Sequence, residues 1–207
     1  MVDSQVRTSD VTSYAVIGAM AQCPRELFVP EDWQGLAYAE TEIPLAEERA
    51  MMTPRSLAKM LDTAAIGPEE LVLEIAPGTG YSTALIARLA ATVIAIEPEE
   101  ALAESARRTL TGLEIYNAVV NEGTLTEGDP KHAPYDVIFI NGAVEQVPSA
   151  LTDQLKDGGR LIAIFMEGGV GQCRTLLRVG DTLAEQITHD IYGPILPGFE
   201  RERSFAF

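Results

Sequence analysis

The sequence predicts an α/β fold with a mostly parallel sheet that helices cover on both faces. Short apolar runs at residues 71–75, 92–96 and 137–140 alternate with helical patterns. Near-continuous apolar strands of this kind are typical of parallel sheets that are buried on both sides. Towards the C-terminus two further strands meet at Gly180-Asp181, which is a hairpin signal. We therefore expect antiparallel strands at one edge of the sheet.

The other elements follow from local start and stop signals. Residues 1–22 read as a helical preface, in which Asp10 or Thr12 is expected to cap a helix. A second helix should begin at Thr53-Pro54, since threonine is a fair N-cap and proline is favoured at the first helical position. The remaining expected elements are helices at 81–89, 98–110 and 148–155 and strands at 115–120, 160–165, 173–179 and 183–190.

An irregular stretch at residues 23–50 follows the helical preface. It shows little periodicity, but Phe28, Trp33 and Tyr38 argue against disorder. A loop of this length inside a compact domain is usually functional. We interpret residues 1–52 as a helix and arm folded over the ligand crevice of a main domain that spans 53–207, the whole forming one compact unit.

The composition restricts the partners. Lys+Arg total 15 against 31 Asp+Glu, which gives a net charge of −16. Such a chain repels nucleic acid and anionic membranes, so neither is expected as a partner. Cys23 and Cys173 lack a metal-ligand spacing and only two histidines exist, so we expect reduced thiols and no metal site. The polar start and the lack of a long apolar run make the cytoplasm the expected location.

The turn after the first apolar run carries the clearest binding signal. Gly78 and Gly80 lie between this strand and a helix, where backbone can approach a nucleotide-like cofactor. A dinucleotide site needs a third small residue in register, and Thr83 stands there instead. Glu74 would repel a pyrophosphate but suits a ligand with a positive charge, such as the ammonium of S-adenosylmethionine.

A second acidic residue supports the same cofactor. Glu97 ends the second strand, 17 residues beyond Gly80 (97 − 80). A carboxylate there can accept both hydroxyls of a ribose. Glu74, the two glycines and Glu97 together indicate an S-adenosylmethionine-dependent methyltransferase.

Several longer blocks carry a resemblance to a known family. They are residues 24–30, 37–38, 43–45, 73–75, 78–81, 133–138, 147–148 with Leu151, and 154–161. On these blocks the chain resembles the protein-L-isoaspartate O-methyltransferases over nearly its whole length. The resemblance implies a Rossmann-like class I S-adenosylmethionine-dependent methyltransferase with a seven-stranded sheet and an N-terminal helical arm, so that 53–207 is the methyltransferase domain.

The resemblance also implies an activity. It is the transfer of a methyl group to the α-carboxylate of isoaspartyl residues in damaged proteins. The ester then cyclises to a succinimide, which opens partly to normal aspartate and so repairs the protein. A carboxylate is already ionised at neutral pH, so this reaction needs proximity and in-line geometry rather than a general base.

The site residues implied by the family depart from its pattern in places. The family's Ile-Ser-x-Pro run matches 51–54, which puts Met52 at the serine position and leaves Thr53 as the nearest hydroxyl. Ala76 replaces the first glycine of the turn, which is tolerable if its φ stays in an ordinary region. Thr124 replaces an acid beside the adenine. The expected cofactor residues are Glu74, Ala76, Gly78, Gly80, Tyr81, Glu97 and Thr124.

Two alternatives stay open. Met52, Glu47 and Glu48 favour a methyltransferase of the same fold that acts on another carboxylate or a small molecule. A non-catalytic homologue would also fit the lost glycine and the lost serine. We expect a monomer or a weak dimer.

Overall fold

The computed structural model describes residues 1–201. The helices of four residues or more with α geometry are α1 Tyr14–Gln22, α2 Pro54–Ala64, α3 Tyr81–Ile86, α4 Glu100–Gly112 and α5 Ser149–Thr152. The strands are β1 Ile43–Ala46, β2 Arg49–Met51, β3 Leu71–Ile75, β4 Thr92–Glu97, β5 Ala118–Glu122, β6 Tyr135–Val144, β7 Leu155–Glu167, β8 Val170–Val179 and β9 Thr182–Asp190.

The centre of the structure is a seven-stranded sheet in the order β5-β4-β3-β6-β7-β8-β9. The five strands from β5 to β7 in this order run parallel to one another. β8 and β9 add two antiparallel strands at one edge. The expected mostly parallel sheet with an antiparallel hairpin at its edge is therefore confirmed.

The strands alternate their side chains between two cores. Val72 and Leu73 are neighbours in β3, yet each belongs to a different buried cluster because successive side chains point to opposite faces. The first core lies under α1, α2, α3 and α4. The second lies under α5 and irregular segments that contribute Leu125, Leu196 and Phe199. Helices thus lie on both faces, but the second face depends largely on loops.

Several predicted boundaries are wrong: β5 begins at Ala118 rather than at residue 115, β7 begins at Leu155 rather than at residue 160, and three helix boundaries also differ. Ser13 caps α1 by accepting a hydrogen bond from the Val16 amide, whereas Asp10 adopts a left-handed φ of 61°. α3 stops at Ile86 rather than at residue 89. The helix expected at 148–155 is only four residues long, because β7 already begins at Leu155.

The arm contains short 3-10 turns and a small β-hairpin. The turns span Arg25–Phe28 and Glu31–Leu36. β1 and β2 pair only with each other, as a two-stranded sheet separate from the main one. Across residues 1–201, none of the helices combines the length and apolarity that a membrane crossing requires.

Candidate functional site

The turn after β3 is built from three left-handed residues. Ala76, Gly78 and Gly80 have φ values of 63°, 59° and 91°. The condition stated for an alanine at position 76, an ordinary φ, is therefore not met. An alanine held there costs roughly 1–2 kcal/mol relative to its relaxed backbone. Two hydrogen bonds hold it in place: its amide donates to Ile96 O (3.0 Å), and Asn141 Nδ2 donates to its carbonyl (3.1 Å).

The two glycines admit close packing from both sides. A Cβ on Gly78 would lie 2.7 Å from Leu45 Cδ1 of the arm, and one on Gly80 would lie 2.9 Å from Ala106 Cβ of α4. The arm therefore presses directly on the turn.

Glu74 lies behind this turn. Its side chain is fully buried, and its Oε2 accepts a hydrogen bond from Thr83 Oγ1 at 2.6 Å. It does not line the cavities described below, so the predicted contact with a ligand ammonium is not supported. The carboxylate instead connects β3 to α3. Burial raises the pKa of the Glu74 carboxyl to about 7.

This raised pKa predicts a pH dependence of stability. The folded-state pKa exceeds the ordinary value of 4.5. The folded protein therefore binds a proton that the unfolded chain releases, and stability falls as pH rises from about 4.5 to 7, by up to roughly 1.4 kcal/mol per pH unit. Glu74→Gln should flatten this part of the profile of urea midpoint against pH. Glu69→Gln, at an exposed position, is the control and should leave the slope intact.

Glu97 lies under the turn at the end of β4, as expected, but its carboxylate oxygens already accept hydrogen bonds from other residues of the protein. Its side chain is fully buried. Arg49 binds it in a bidentate pair, with Nη1 to Oε1 at 2.6 Å and Nη2 to Oε2 at 2.7 Å. The amides of Gly78 (2.8 Å) and Glu99 (3.3 Å) also donate to it. Arg49 is not among the site residues predicted from the sequence.

Arg49 separates two cavities of very different size. The first lies at the turn, measures about 10 Å³ and is lined by side chains that include Leu45, Met52 and Tyr81. The second is an open groove of about 620 Å³ beyond Glu97, where Thr124 lies as expected for a residue beside an adenine. Arg49 borders both cavities, so the hairpin β1–β2 fills the turn side of the crevice and leaves the other side open.

Met52 and Thr53, the two residues predicted for the catalytic position, have different surroundings. Met52 is 1% exposed and lines the small cavity. Thr53 accepts the Ser56 amide at 3.2 Å as the N-cap of α2 and lies outside the residues that line the cavities at the turn and beyond Glu97. The structure does not support Thr53 as the functional hydroxyl, because its oxygen serves the helix start.

Arg25 ties the arm to the site. It is fully buried, and it donates from Nε to Ala37 O (2.7 Å) and from Nη2 to Met52 O (2.7 Å). Its guanidinium lies 4.8 Å from the ring centroid of Tyr81. Thr79 of the turn adds a bond to the arm, from Oγ1 to Phe28 O at 2.6 Å. The sequence showed Arg25 only as part of a family block, without a role.

Three buried polar atoms on residues that line the small cavity have no hydrogen-bond partner among residues 1–201. They are Tyr81 Oη, Ser82 Oγ and Asn141 Oδ1. Buried polar atoms of this kind normally have partners, so these three indicate a ligand. The Asn141 oxygen suits the ammonium of an amino-acid group, and the Ser82 hydroxyl suits its carboxylate. Together with the Glu97 carboxylate and the open groove, their chemistry suits the groups of S-adenosylmethionine, although the small cavity of about 10 Å³ admits only a water-sized group in this state.

Comparisons with known proteins agree with this geometry. The family model for protein-L-isoaspartate(D-aspartate) O-methyltransferase matches residues 1–187. The protein-L-isoaspartate O-methyltransferase of Methanoregula boonei is 41% identical over 162 residues, which are 78% of this chain and 75% of that protein. The enzyme of the same name from Roseiflexus castenholzii is 36% identical over 202 residues, covering 96% of this chain and 91% of its own.

Solved structures show the same fold. One protein-L-isoaspartate O-methyltransferase has a TM-score of 0.82 at 24% identity, over 96% of this chain and 66% of the solved one. A Plasmodium falciparum protein named for the same activity, solved with S-adenosyl-L-homocysteine, has a TM-score of 0.80 at 17% identity over 94% and 95%. The chain belongs to the protein-L-isoaspartate(D-aspartate) O-methyltransferase family.

Proposed function

We propose that this chain methylates the α-carboxylate of isoaspartyl residues in damaged proteins, with S-adenosylmethionine as methyl donor. The observation that carries the proposal is the buried Glu97 carboxylate under the left-handed glycine turn, beside an open groove of about 620 Å³. This arrangement offers a ribose acceptor and room for an adenine in one crevice. Family membership supports the choice of donor and of acceptor.

Each cofactor group has candidate partners in the crevice. Glu97 would accept the ribose hydroxyls, Thr124 would contact the adenine, and Ser82 and Asn141 would bind the amino-acid end. Gly78 keeps the turn free of a side chain beside them. When bound, S-adenosylmethionine supplies an electrophilic methyl group on a positively charged sulfur.

The acceptor needs alignment rather than activation. Its carboxylate oxygen forms a bond to the methyl carbon while the carbon–sulfur bond breaks and the sulfur keeps the electron pair. The products are a methyl ester and S-adenosylhomocysteine, and no proton moves in this step. The buried thioether of Met52 offers no hydrogen-bond donor at the position of the family serine, so another group must hold the acceptor carboxylate.

The test is methyl transfer from radiolabelled S-adenosylmethionine to a peptide with one isoaspartyl residue, compared with its aspartyl twin. We expect base-labile label on the isoaspartyl peptide and not on the twin. Label on neither peptide would contradict the proposal. Label on both would favour the alternative enzyme, with another carboxylate as its substrate.

Met52→Ser probes the missing hydroxyl. A serine there should raise kcat/KM for the isoaspartyl peptide by about tenfold, since one hydrogen bond to a carboxylate contributes roughly 1.5 kcal/mol. Met52→Ala is the matched control, because it opens the same space without a donor. Equal rates in the two variants would show that a hydroxyl at this position does not reach the acceptor.

The setting of the reaction belongs to the same proposal. The net charge of −16 supports protein substrates rather than nucleic acid or membrane partners. A cytoplasmic location, a monomer or weak dimer, and the division between residues 52 and 53 stay predictions.

A further inference from the structure

We infer that Arg49 binds the carboxylate of the acceptor substrate, and that cofactor binding releases it for this role by taking over Glu97. The inference rests on the proposed function and adds to it a substrate-binding residue and an order of binding.

The first observation is the position of the guanidinium. Arg49 borders the small cavity at the turn, the open groove beyond Glu97, and a third cavity of about 570 Å³ on the other side of the hairpin. Pro44, Ala50 and Ile195 line this third cavity as well. A side chain at the junction of all three can face either the cofactor or a molecule that enters from outside.

The second observation is that Glu97 has one set of acceptor oxygens for two partners. Arg49 uses both of them in its bidentate pair, at 2.6 and 2.7 Å. A ribose diol bound to the same carboxylate requires the same oxygens. The amides of Gly78 and Glu99 occupy the second acceptor position of each oxygen, so all four positions are filled and a ribose diol bound to both oxygens displaces the guanidinium.

A displaced Arg49 needs another anion. Its side chain is 5% exposed in the pair with Glu97, and a buried guanidinium without a counter-ion is strongly unfavourable. The reaction brings two anions, the carboxylate of the cofactor's amino-acid end and the acceptor carboxylate. Ser82 and Asn141 are the candidate partners of that amino-acid end, and we assign the acceptor carboxylate to Arg49. The planar guanidinium matches a carboxylate in a bidentate pair, which also fixes the orientation that in-line attack requires.

The charges around the three cavities favour this residue over others. The cations that line them within residues 1–201 are Arg49 and Arg201. Arg201 borders only the third cavity and is paired with Glu167 at 3.2 Å. The acidic lining residues are Glu47, Glu48, Glu99, Glu145 and Glu200. An acceptor carboxylate is therefore attracted to Arg49 and repelled by most of its surroundings.

Movement of the hairpin that carries Arg49 would leave the seven-stranded sheet intact, although it would shift Ile43 and Met51 in the core. β1 and β2 pair with each other and not with the seven-stranded sheet. Its movement therefore breaks no hydrogen bond of the main sheet. The cofactor should bind first and the acceptor second, because only the loaded enzyme presents a free guanidinium.

The experiment compares the wild type with Arg49→Gln by calorimetry. S-adenosylhomocysteine should bind the variant about tenfold more tightly, since no internal cation competes for Glu97. An isoaspartyl peptide should bind the S-adenosylhomocysteine-loaded wild type about tenfold more tightly than the loaded variant. Its isoasparaginyl twin, which lacks the carboxylate, should not distinguish them. Arg55→Gln, an exposed arginine nearby, is the matched control and should behave as wild type.

Each of the two binding measurements can overturn one part of the proposal. Equal or weaker binding of S-adenosylhomocysteine by Arg49→Gln overturns the exchange at Glu97, and equal peptide affinity overturns the carboxylate contact, even where the wild type methylates isoaspartyl peptide. If Arg49→Gln does not fold, Arg49→Lys serves the same comparison. Lysine keeps the positive charge but cannot form the bidentate pair with a carboxylate. Cofactor affinity should then rise, and peptide affinity should fall, by smaller factors than in Arg49→Gln. Failure of the methylation test with both binding shifts intact would instead remove only the isoaspartyl substrate.

Discussion

Replacing Glu97 with alanine is expected to weaken S-adenosylhomocysteine binding by about 1–3 kcal/mol, because the ribose loses two hydrogen bonds to a charged acceptor. Glu97 is the fully buried carboxylate at the end of β4 and also fixes the Gly78 amide of the turn at 2.8 Å. The loss should therefore appear in the dissociation constant measured by calorimetry.

Two variants keep this prediction interpretable. Glu97→Gln preserves the shape and leaves a neutral acceptor for the case in which the alanine variant is poorly folded. Glu122→Gln is the matched control, since Glu122 pairs with Glu97 across β4 and β5 but has a half-exposed side chain. Wild-type affinity in both Glu97 variants would remove Glu97 from the cofactor site.

Arg25→Met should destabilise the protein by about 3–5 kcal/mol. The fully buried guanidinium donates to the carbonyls of Ala37 and Met52, and bonds from a charged donor contribute roughly 1.5–3 kcal/mol each. Methionine retains most of the aliphatic volume but leaves both carbonyls without a donor. The free energy of unfolding in urea measures the loss.

The control for Arg25 is Arg88→Met, at an exposed arginine that donates to the Ala84 carbonyl four residues earlier. We expect a change of less than about 1 kcal/mol there. A loss at Arg25 no larger than the loss at Arg88 would contradict the role of Arg25 as the link between the arm and the site.

Local patterns in the sequence predicted the parts of the fold that local forces determine. β3 was predicted with its observed bounds because an apolar run lies between the breakers Gly67-Pro68 and Pro77-Gly78. Thr53 and Pro54 also start α2 as their preferences require. The early end of α5 could not be predicted from the sequence, because the pairing of Leu155 with Tyr135 of the neighbouring strand overrides the helical pattern.

The site depended on contacts that leave no local pattern. Arg49 and Glu97 lie 48 residues apart, and no local sequence pattern around either residue indicates an ion pair between them. Glu74 and Thr53 show the opposite case. Each has a residue type that suits a ligand contact, and each uses its oxygen within the protein instead, towards Thr83 and Ser56.

A crystal structure of the chain with S-adenosylhomocysteine tests the central claim most directly, since that claim assigns one carboxylate to two alternative partners. We predict the ribose hydroxyls on Glu97, the adenine beside Thr124, and the Arg49 guanidinium withdrawn from its present 2.6 Å contact. A bound cofactor with the pair between Arg49 and Glu97 intact would contradict the account.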